Sequence, residues 1–171
     1  IDINTKDNLK NTPLHRGIQS PEIVNLLLNN AANPHSANIF NQTPYRMSID
    51  YPNSLEVFLK HKINPNTVDK NGQTLLHEAM IKKNMEIAAI LKKYNADVNY
   101  KDNLGKSPLF YAQIPASIDW LSDNGAKINL TDKKHNTALH YSVMDNNGAI
   151  AKALLKHNAH TKKKKSDNIP A

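Results

Sequence analysis

Apolar residues occur along the chain in pairs of short helical stripes, and segments rich in turn-forming residues separate one pair from the next. The clearest pair lies within 75–80 and 85–91, where leucine, isoleucine, alanine and methionine recur at the spacing of one helix face. The preceding segment contains Gly72, which can adopt a positive φ, and Thr74 can cap the first helix with its hydroxyl. The pattern predicts a turn, a helix, a short break and a second helix in an all-α fold.

A short signal at the start of each first helix repeats five times. Its copies are Thr12-Pro13-Leu14-His15, Thr43-Pro44-Tyr45-Arg46, Thr74-Leu75-Leu76-His77, Ser107-Pro108-Leu109-Phe110 and Thr137-Ala138-Leu139-His140. Successive copies begin 31, 31, 33 and 30 residues apart, and self-similarity near this period is typical of stacked repeats that complete each other's core. The signal resembles the Thr-Pro-Leu-His motif of ankyrin repeats. This resemblance implies an all-α solenoid of about five helix-turn-helix repeats joined by hairpin loops.

We predict that residues 1–171 form a single ankyrin repeat array. The approximate repeats are 7–37, 38–68, 69–101, 102–131 and 132–161, followed by a truncated sixth repeat or a tail at 162–171. Deletions of two or three residues at the turn between paired helices explain the shorter periods, because they keep the apolar stripes in register. Since the chain begins at Ile1 rather than Met, and 2–4 resembles the end of an earlier repeat, we expect it to be part of a larger polypeptide.

The net charge of +7 comes mainly from lysine, because Arg16 and Arg46 are the only arginines among 22 basic residues. Base and phosphate recognition favour the planar guanidinium group, so nucleic-acid binding is not the leading hypothesis. The lysine run at 162–165 is interpreted either as a nuclear import signal or as a solvated loop of a lysine-biased protein. The lack of cysteine excludes disulfides and thiol chemistry, and no apolar run is long enough to span a membrane, which fits a cytoplasmic protein.

The regularly spaced histidines His15, His77 and His140 are interpreted as structural, because each occupies the same place in its own repeat. The ankyrin resemblance implies that the Thr and His side chains of the motif hydrogen-bond to hold loops and helices in place. The pattern is absent at Arg46 and Phe110, so we expect those two repeats to be held differently. Without a ligand set for a metal ion, a phosphate-binding loop or a nucleophile motif, we predict no enzyme activity, no metal site and no cofactor.

The ankyrin resemblance implies that a partner binds the hairpin tips and the concave face formed by the inner, first helices. Two residues after the hairpin Asp position, large apolar side chains recur where water is expected, and aromatic residues and methionine follow on the first-helix flanks. Such residues are enriched where interfaces concentrate their binding energy. The predicted partner-binding residues are Leu9, Phe40, Leu104, Met47, Ile81, Lys82, Tyr111, Tyr141, Met144 and Lys134. The alternative for Leu9 and Leu104 is packing against neighbouring loops.

The leading hypothesis is a non-catalytic protein–protein interaction module within a larger polypeptide. Enrichment in Lys, Asn and Ile is typical of AT-rich genomes, and with the ankyrin resemblance it points to a host-directed effector of an intracellular bacterium, or a similar viral or protist protein. Such a protein would act in the host cytosol or nucleus, and lysines near the tips favour an acidic protein partner. The alternative is a substrate-recruiting arm of an enzyme whose catalytic domain lies outside this fragment. Nucleic-acid binding through the lysines would instead weaken steeply with added salt.

Overall fold

The computed structural model describes residues 2–159. Over these residues the chain contains nine α-helices, two 3-10 helices and no β-strand, which confirms the predicted all-α fold. The chain divides between Asp97 and Val98 into two compact units. Each unit is built from helix pairs, and every pair lies within one of the five predicted repeats.

The first unit contains three helix pairs. They are α1 (Pro13–Arg16) with α2 (Pro21–Asn29), then α3 (Pro44–Met47) and the 3-10 helix η1 (Ser48–Asp50) with α4 (Pro52–Lys60), and finally α5 (Leu75–Ile81) with α6 (Met85–Lys93). The second helices pack in the order α2, α4, α6, and α1 lies beside α3. The predicted stripes point inward, because Leu75, Leu76 and Leu91 are fully buried. Each such leucine contributes about 1.5–3 kcal/mol relative to exposure in water.

The second unit contains two helix pairs among the described residues. The 3-10 helix η2 (Pro108–Tyr111) precedes α7 (Pro115–Asp123), and α8 (Ala138–Met144) precedes α9 (Gly148–Lys156). Helix α7 packs on α9, and η2 packs on α8. The buried side chains between them include those of Leu109, Ile118, Leu121 and Leu154. Within each unit, therefore, a helix pair buries its apolar stripes only by packing on the neighbouring pair.

The Thr-x-x-His motif fastens the start of a first helix. In three copies the backbone N–H of Thr12, Thr74 or Thr137 donates to Nδ1 of the histidine three residues later, at 3.0–3.1 Å. The ring of His15 also reaches the next repeat, where its Nε2 lies 3.1 Å from the carbonyl oxygen of Gln42. The predicted structural role of these histidines is confirmed by this geometry.

The two copies without histidine are held in other ways, as predicted. Arg46 donates from Nη1 to the carbonyl oxygen of Gln73 at 2.8 Å and from Nη2 to Glu78 at 2.8 Å. The arginine therefore makes the same kind of bond to the next repeat that histidine makes one repeat earlier. Phe110 instead packs edge-to-face on Tyr141, with ring centroids 6.0 Å apart.

Candidate functional site: hairpin tips and first-helix flanks

Each hairpin tip is a tight turn organised by one Asp or Asn side chain. In every copy its Oδ1 accepts the backbone N–H groups of the residues two and four positions later, at 2.8–3.0 Å. These residues are Asp7, Asn38, Asp69, Asp102 and Asp132. The residue three positions later has a positive φ, and Gly72, at 75°, is the predicted example. The turn is thus fixed by local backbone chemistry, so the side chain two positions after the Asp or Asn is not needed to form it.

The side chain two positions after the tip Asp or Asn is exposed to solvent. The exposed fraction is 39% for Leu9, 65% for Phe40 and 58% for Leu104, and Lys134 is also exposed. Leu104 is therefore not buried against neighbouring loops, whereas Leu9 is only partly open to solvent. Three of the five tips present a large apolar group where a polar one would be equally compatible with the turn.

Two pairs of neighbouring tips, one in each unit, are joined through their backbones. The N–H of Ile39 donates to the carbonyl oxygen of Leu9, and the N–H of Lys133 donates to that of Leu104, both at 3.0 Å. In the first unit this bond holds Leu9 and the Ile39–Phe40 pair on consecutive tips. Ile39 is half exposed and enlarges the apolar tip surface, and sequence reasoning missed it. The sequence signal that could have identified Ile39 is its position next to Phe40 in the hairpin tip.

In three repeats, a side chain on the first helix hydrogen-bonds to the tip Asp that lies nine residues earlier in the sequence. The pairs are Arg16 Nε to Asp7 Oδ2 at 3.0 Å, the Tyr111 hydroxyl to Asp102 Oδ2 at 2.5 Å, and the Tyr141 hydroxyl to Asp132 Oδ2 at 2.7 Å. Both predicted binding tyrosines therefore brace their own hairpins, and their rings are half-buried. Sequence reasoning missed these pairs, although an Asp followed nine residues later by Arg or Tyr recurs in three repeats. In the second repeat the two positions hold Asn38 and Met47.

Hydrogen bonds favour the charged form of two tip carboxylates, those of Asp7 and Asp132. Burial acts to raise the pKa of Asp132, but the Tyr141 hydroxyl and two backbone N–H groups outweigh burial, and the pKa lies below its ordinary value. The hydrogen bond from Arg16 is the main cause that lowers the pKa of Asp7 to about 2. The tips of Asp7 and Asp132 are therefore held by ionised carboxylates at neutral and mildly acidic pH.

The first-helix flank of the first unit is a charged groove of about 250 Å³ between α3–η1 and α5. Arg46 contacts Glu78 at 2.8 Å, and the predicted residue Lys82 contacts Asp50 at 2.7 Å. The predicted residue Met47 also lines this groove. Because its charges are paired, the groove offers a partner an ordered polar surface with a methionine in it.

The first-helix flank of the second unit is a larger groove of about 420 Å³ between η2 and α8. Tyr111 and Tyr141 line it, together with Phe110, Gln113 and Asp145. Its lining combines three aromatic and two amide side chains with aliphatic ones, in contrast to the paired charges of the first unit.

The remaining predicted features lie outside these two grooves. Ile81 and Met144 are exposed side chains at the ends of α5 and α8. The lysine run at 162–165 lies outside the described residues. Residues 2–159 contain no group of three or more His, Asp or Glu side chains placed to hold a metal ion. The helices in this part of the chain are too short and too polar to cross a bilayer.

Comparison with known families finds ankyrin repeats in three parts of the chain. A three-copy model of ankyrin repeats matches residues 47–132, a many-copy model matches 115–155, and a single-repeat model matches 9–39. Inversin from Mus musculus is 31% identical over 168 residues, which cover 90% of this chain and 16% of inversin. A fowlpox virus protein described as an ankyrin repeat protein is 33% identical over 114 residues, covering 63% of this chain and 15% of that protein. The chain thus spans about a sixth of the length of these relatives.

A solved structure extends the similarity to three dimensions. It is a chain of the complex between a predatory endopeptidase from Bdellovibrio bacteriovorus and an immunity protein, and it is 29% identical to this chain. The TM-score is 0.76, and the match covers 91% of this chain and 86% of that chain.

Proposed function

The chain belongs to the ankyrin repeat family, and we propose that it is a non-catalytic module that binds a partner protein through its hairpin tips and first-helix flanks. The observation that carries this proposal is the exposure of Leu9, Phe40 and Leu104 at one repeated position of the turn. Apolar side chains there add nothing to a turn that an Asp or Asn already holds. Buried in an interface, each would contribute about 1.5–3 kcal/mol.

The proposed contact residues form one set in each unit. The first unit contributes Leu9, Phe40, Met47, Ile81 and Lys82, and the second contributes Leu104, Tyr111, Lys134, Tyr141 and Met144. The side-chain-held turns and the bracing tyrosines order the tips before binding, so association loses little conformational entropy. Lysines at the tips favour a partner with an acidic surface, because opposite charge accelerates encounter and disfavours basic partners.

Similarity to a chain of the endopeptidase–immunity protein complex supports a protein as the partner. An immunity-type module that binds an endopeptidase is the second candidate, favoured by 29% identity over 86% of that chain. Enrichment in Lys, Asn and Ile supports the proposal of a host-directed effector within a larger polypeptide. A substrate-recruiting arm would instead require a catalytic motif elsewhere in the parent reading frame, which its sequence would reveal.

The test compares a tip variant with a matched control variant. The tip variant carries Leu9→Ser, Phe40→Ser and Leu104→Ser, and the control carries Ile23→Ser, Leu26→Ser and Leu155→Ser. The control side chains are similarly exposed but lie on the second helices α2 and α9. Both variants should keep the circular dichroism spectrum and melting temperature of the parent, because no substituted side chain belongs to the core.

Partners are captured from lysates of candidate host cells, identified, purified and measured by calorimetry. We expect the tip variant to bind at least about tenfold more weakly, which is about 1.4 kcal/mol, and the control to bind normally. If the tip variant binds the partner normally and the control variant does not, the interface lies on the second helices instead. Unfolding of the tip variant would show that these side chains belong to the core. A captured endopeptidase whose peptide hydrolysis falls when the chain is added would favour the second candidate.

A further inference from the structure

We propose that the groove between η2 and α8 in the second unit binds an arginine side chain of the partner protein. This inference rests on the proposed function, because it specifies the chemistry of one contact in the same interface. The groove volume of about 420 Å³ lies toward the small end of pockets that bind ligands. It suits a single long side chain rather than a folded element.

The groove exists because the first helix of this repeat is short. Helix η2 ends at Tyr111, and Ala112 already has an extended backbone, with φ −68° and ψ 119°. Helix α8 is seven residues long, so no helical turn of η2 lies beside its last turn. In the first unit η1 continues after α3 and packs on α5, and the groove there is smaller, at about 250 Å³. The missing helical turn thus opens the space.

The aromatic wall of the groove is held in place before any partner arrives. The Tyr141 hydroxyl donates to Asp132 at 2.7 Å, and its ring packs edge-to-face with Phe110. The Nζ atom of Lys106 lies 3.8 Å from the centroid of the Tyr141 ring, so this wall already attracts one cation. Phe110 lines the groove as a second aromatic surface.

Asp145 gives the groove a negative charge that folding does not require. It is exposed, and it forms no ion pair with any side chain in residues 2–159. It caps the C-terminus of α8, where the helix dipole disfavours a carboxylate. The equivalent C-cap of α5 is Lys82, whose charge has the favourable sign. A carboxylate placed against the dipole and beside an aromatic groove fits the binding of a cation.

Arginine satisfies this combination better than lysine does. Its planar guanidinium stacks on aromatic rings and binds a carboxylate through two parallel hydrogen bonds, whereas the lysine ammonium is a strongly hydrated point charge. The amide oxygen of Gln113, which also lines the groove, can accept a remaining N–H group. Arg side chains are also common anchors at the centre of protein interfaces.

The direct test is an NMR titration of the ¹⁵N-labelled chain with N-acetyl-arginine N-methylamide. The matched probe is the citrulline analogue, which has the same length but no charge. Asp145→Asn removes the proposed ligand, and Asp123→Asn is the control, because Asp123 is an exposed carboxylate at the end of α7 in the same unit. Asp145→Asn should keep the fold, since it relieves an unfavourable charge at a helix end.

We expect saturable shifts of the amide signals of 109–113 and 141–147 with the arginine probe. Binding should weaken about tenfold, equivalent to 1.4 kcal/mol, in Asp145→Asn and with the citrulline probe, and stay unchanged in Asp123→Asn. Phe110→Leu should also weaken it, because the aromatic surface is lost. Equal shifts with both probes, or equal losses in both Asn variants, would overturn the proposal.

Measurements with the partner separate this inference from the proposed function. If the chain binds a purified partner, Asp145→Asn should weaken that complex about tenfold, and replacing the partner's arginine by glutamine should cause no further loss in that background. If the Asp145→Asn variant binds the partner as tightly as the parent does, and the arginine probe causes no saturable shifts, the groove assignment is overturned. The proposed binding function is not affected by that result. If the arginine probe causes saturable shifts but no protein partner is found, the result supports the groove assignment and contradicts the proposed function.

Discussion

Replacing Tyr45 by phenylalanine should stabilise the protein, because the Tyr45 hydroxyl is buried with no hydrogen-bond partner among residues 2–159. The ring itself is fully buried and well packed, edge-on to His35 and Phe58 with centroids 6.3 and 5.9 Å apart. The substitution Tyr45→Phe removes one oxygen atom and keeps these ring contacts. It therefore isolates the cost of the unpaired hydroxyl.

The expected size follows from the cost of burying a polar group without a partner, about 1–3 kcal/mol. The free energy of unfolding should rise by that amount, and each kcal/mol should raise the melting temperature by about 2–4 °C for a chain of this size. Urea unfolding followed by circular dichroism measures the change. Tyr141→Phe is the matched control, because its hydroxyl donates to the ionised Asp132 carboxylate at 2.7 Å and the loss of this bond should cost about 1.5–3 kcal/mol.

Alkaline pH gives a second measurement of the same hydroxyl. Burial raises the pKa of Tyr45 above its ordinary value, because the phenolate is disfavoured inside the protein. The stability linked to the protonated form is complete below the ordinary tyrosine pKa of about 10 and is lost as the pH rises toward the folded-state pKa. Above a pH of about 10, the Tyr45→Phe variant should therefore lose less stability than the parent. A decrease in stability of this variant at neutral pH would refute the reasoning, since it would mean that the hydroxyl is hydrogen-bonded.

Two further predictions concern the charged contacts of the first unit. Arg46→Ala should lower the free energy of unfolding by about 1–3 kcal/mol, because it removes the hydrogen bonds that Arg46 donates to the Glu78 carboxylate and the Gln73 carbonyl. Arg46→His should retain part of that stability by contacting the same carbonyl. Urea unfolding checks this, and equal losses in the two variants would contradict it. Arg16→Gln should raise the pKa of Asp7 from about 2 toward its ordinary value near 4, as measured by carboxyl NMR. Because the folded-state pKa is lowered, this contact stabilises the fold fully above about pH 4 and stops doing so as the pH falls through about 2, where parent and variant should become equally stable.

Several of the features used in these predictions depend on contacts that no local pattern contains. The bond from Arg46 to the Gln73 carbonyl joins residues 27 positions apart, and sequence reasoning predicted only that Arg46 would be held differently. The orphan hydroxyl of Tyr45 depends on every side chain packed around it. The place of Asp145 beside a groove was not predictable from the sequence, because the groove depends on the length of η2.

The predicted binding residues show the same division. The exposure of Leu104 and Phe40 was predictable from local chemistry. In a turn held by an Asp or Asn side chain, the side chain two positions later points into solvent. The bracing of Tyr111 and Tyr141 was not, because it requires the first helix to return to the tip at hydrogen-bonding distance. Their predicted role in partner binding stays a prediction.

The amino-acid sequence by itself determined the helices, their caps and the ankyrin repeat fold, since helical periodicity and capping act over fewer than ten residues and recur in every copy of the motif. Only the tertiary structure decided which side chains hold the tips, which charges are paired and where the groove beside α8 opens. The physical reason is distance, because hydrogen bonds, ion pairs and cavities depend on how separate segments are placed in space, to within a few tenths of an ångström for the bonds.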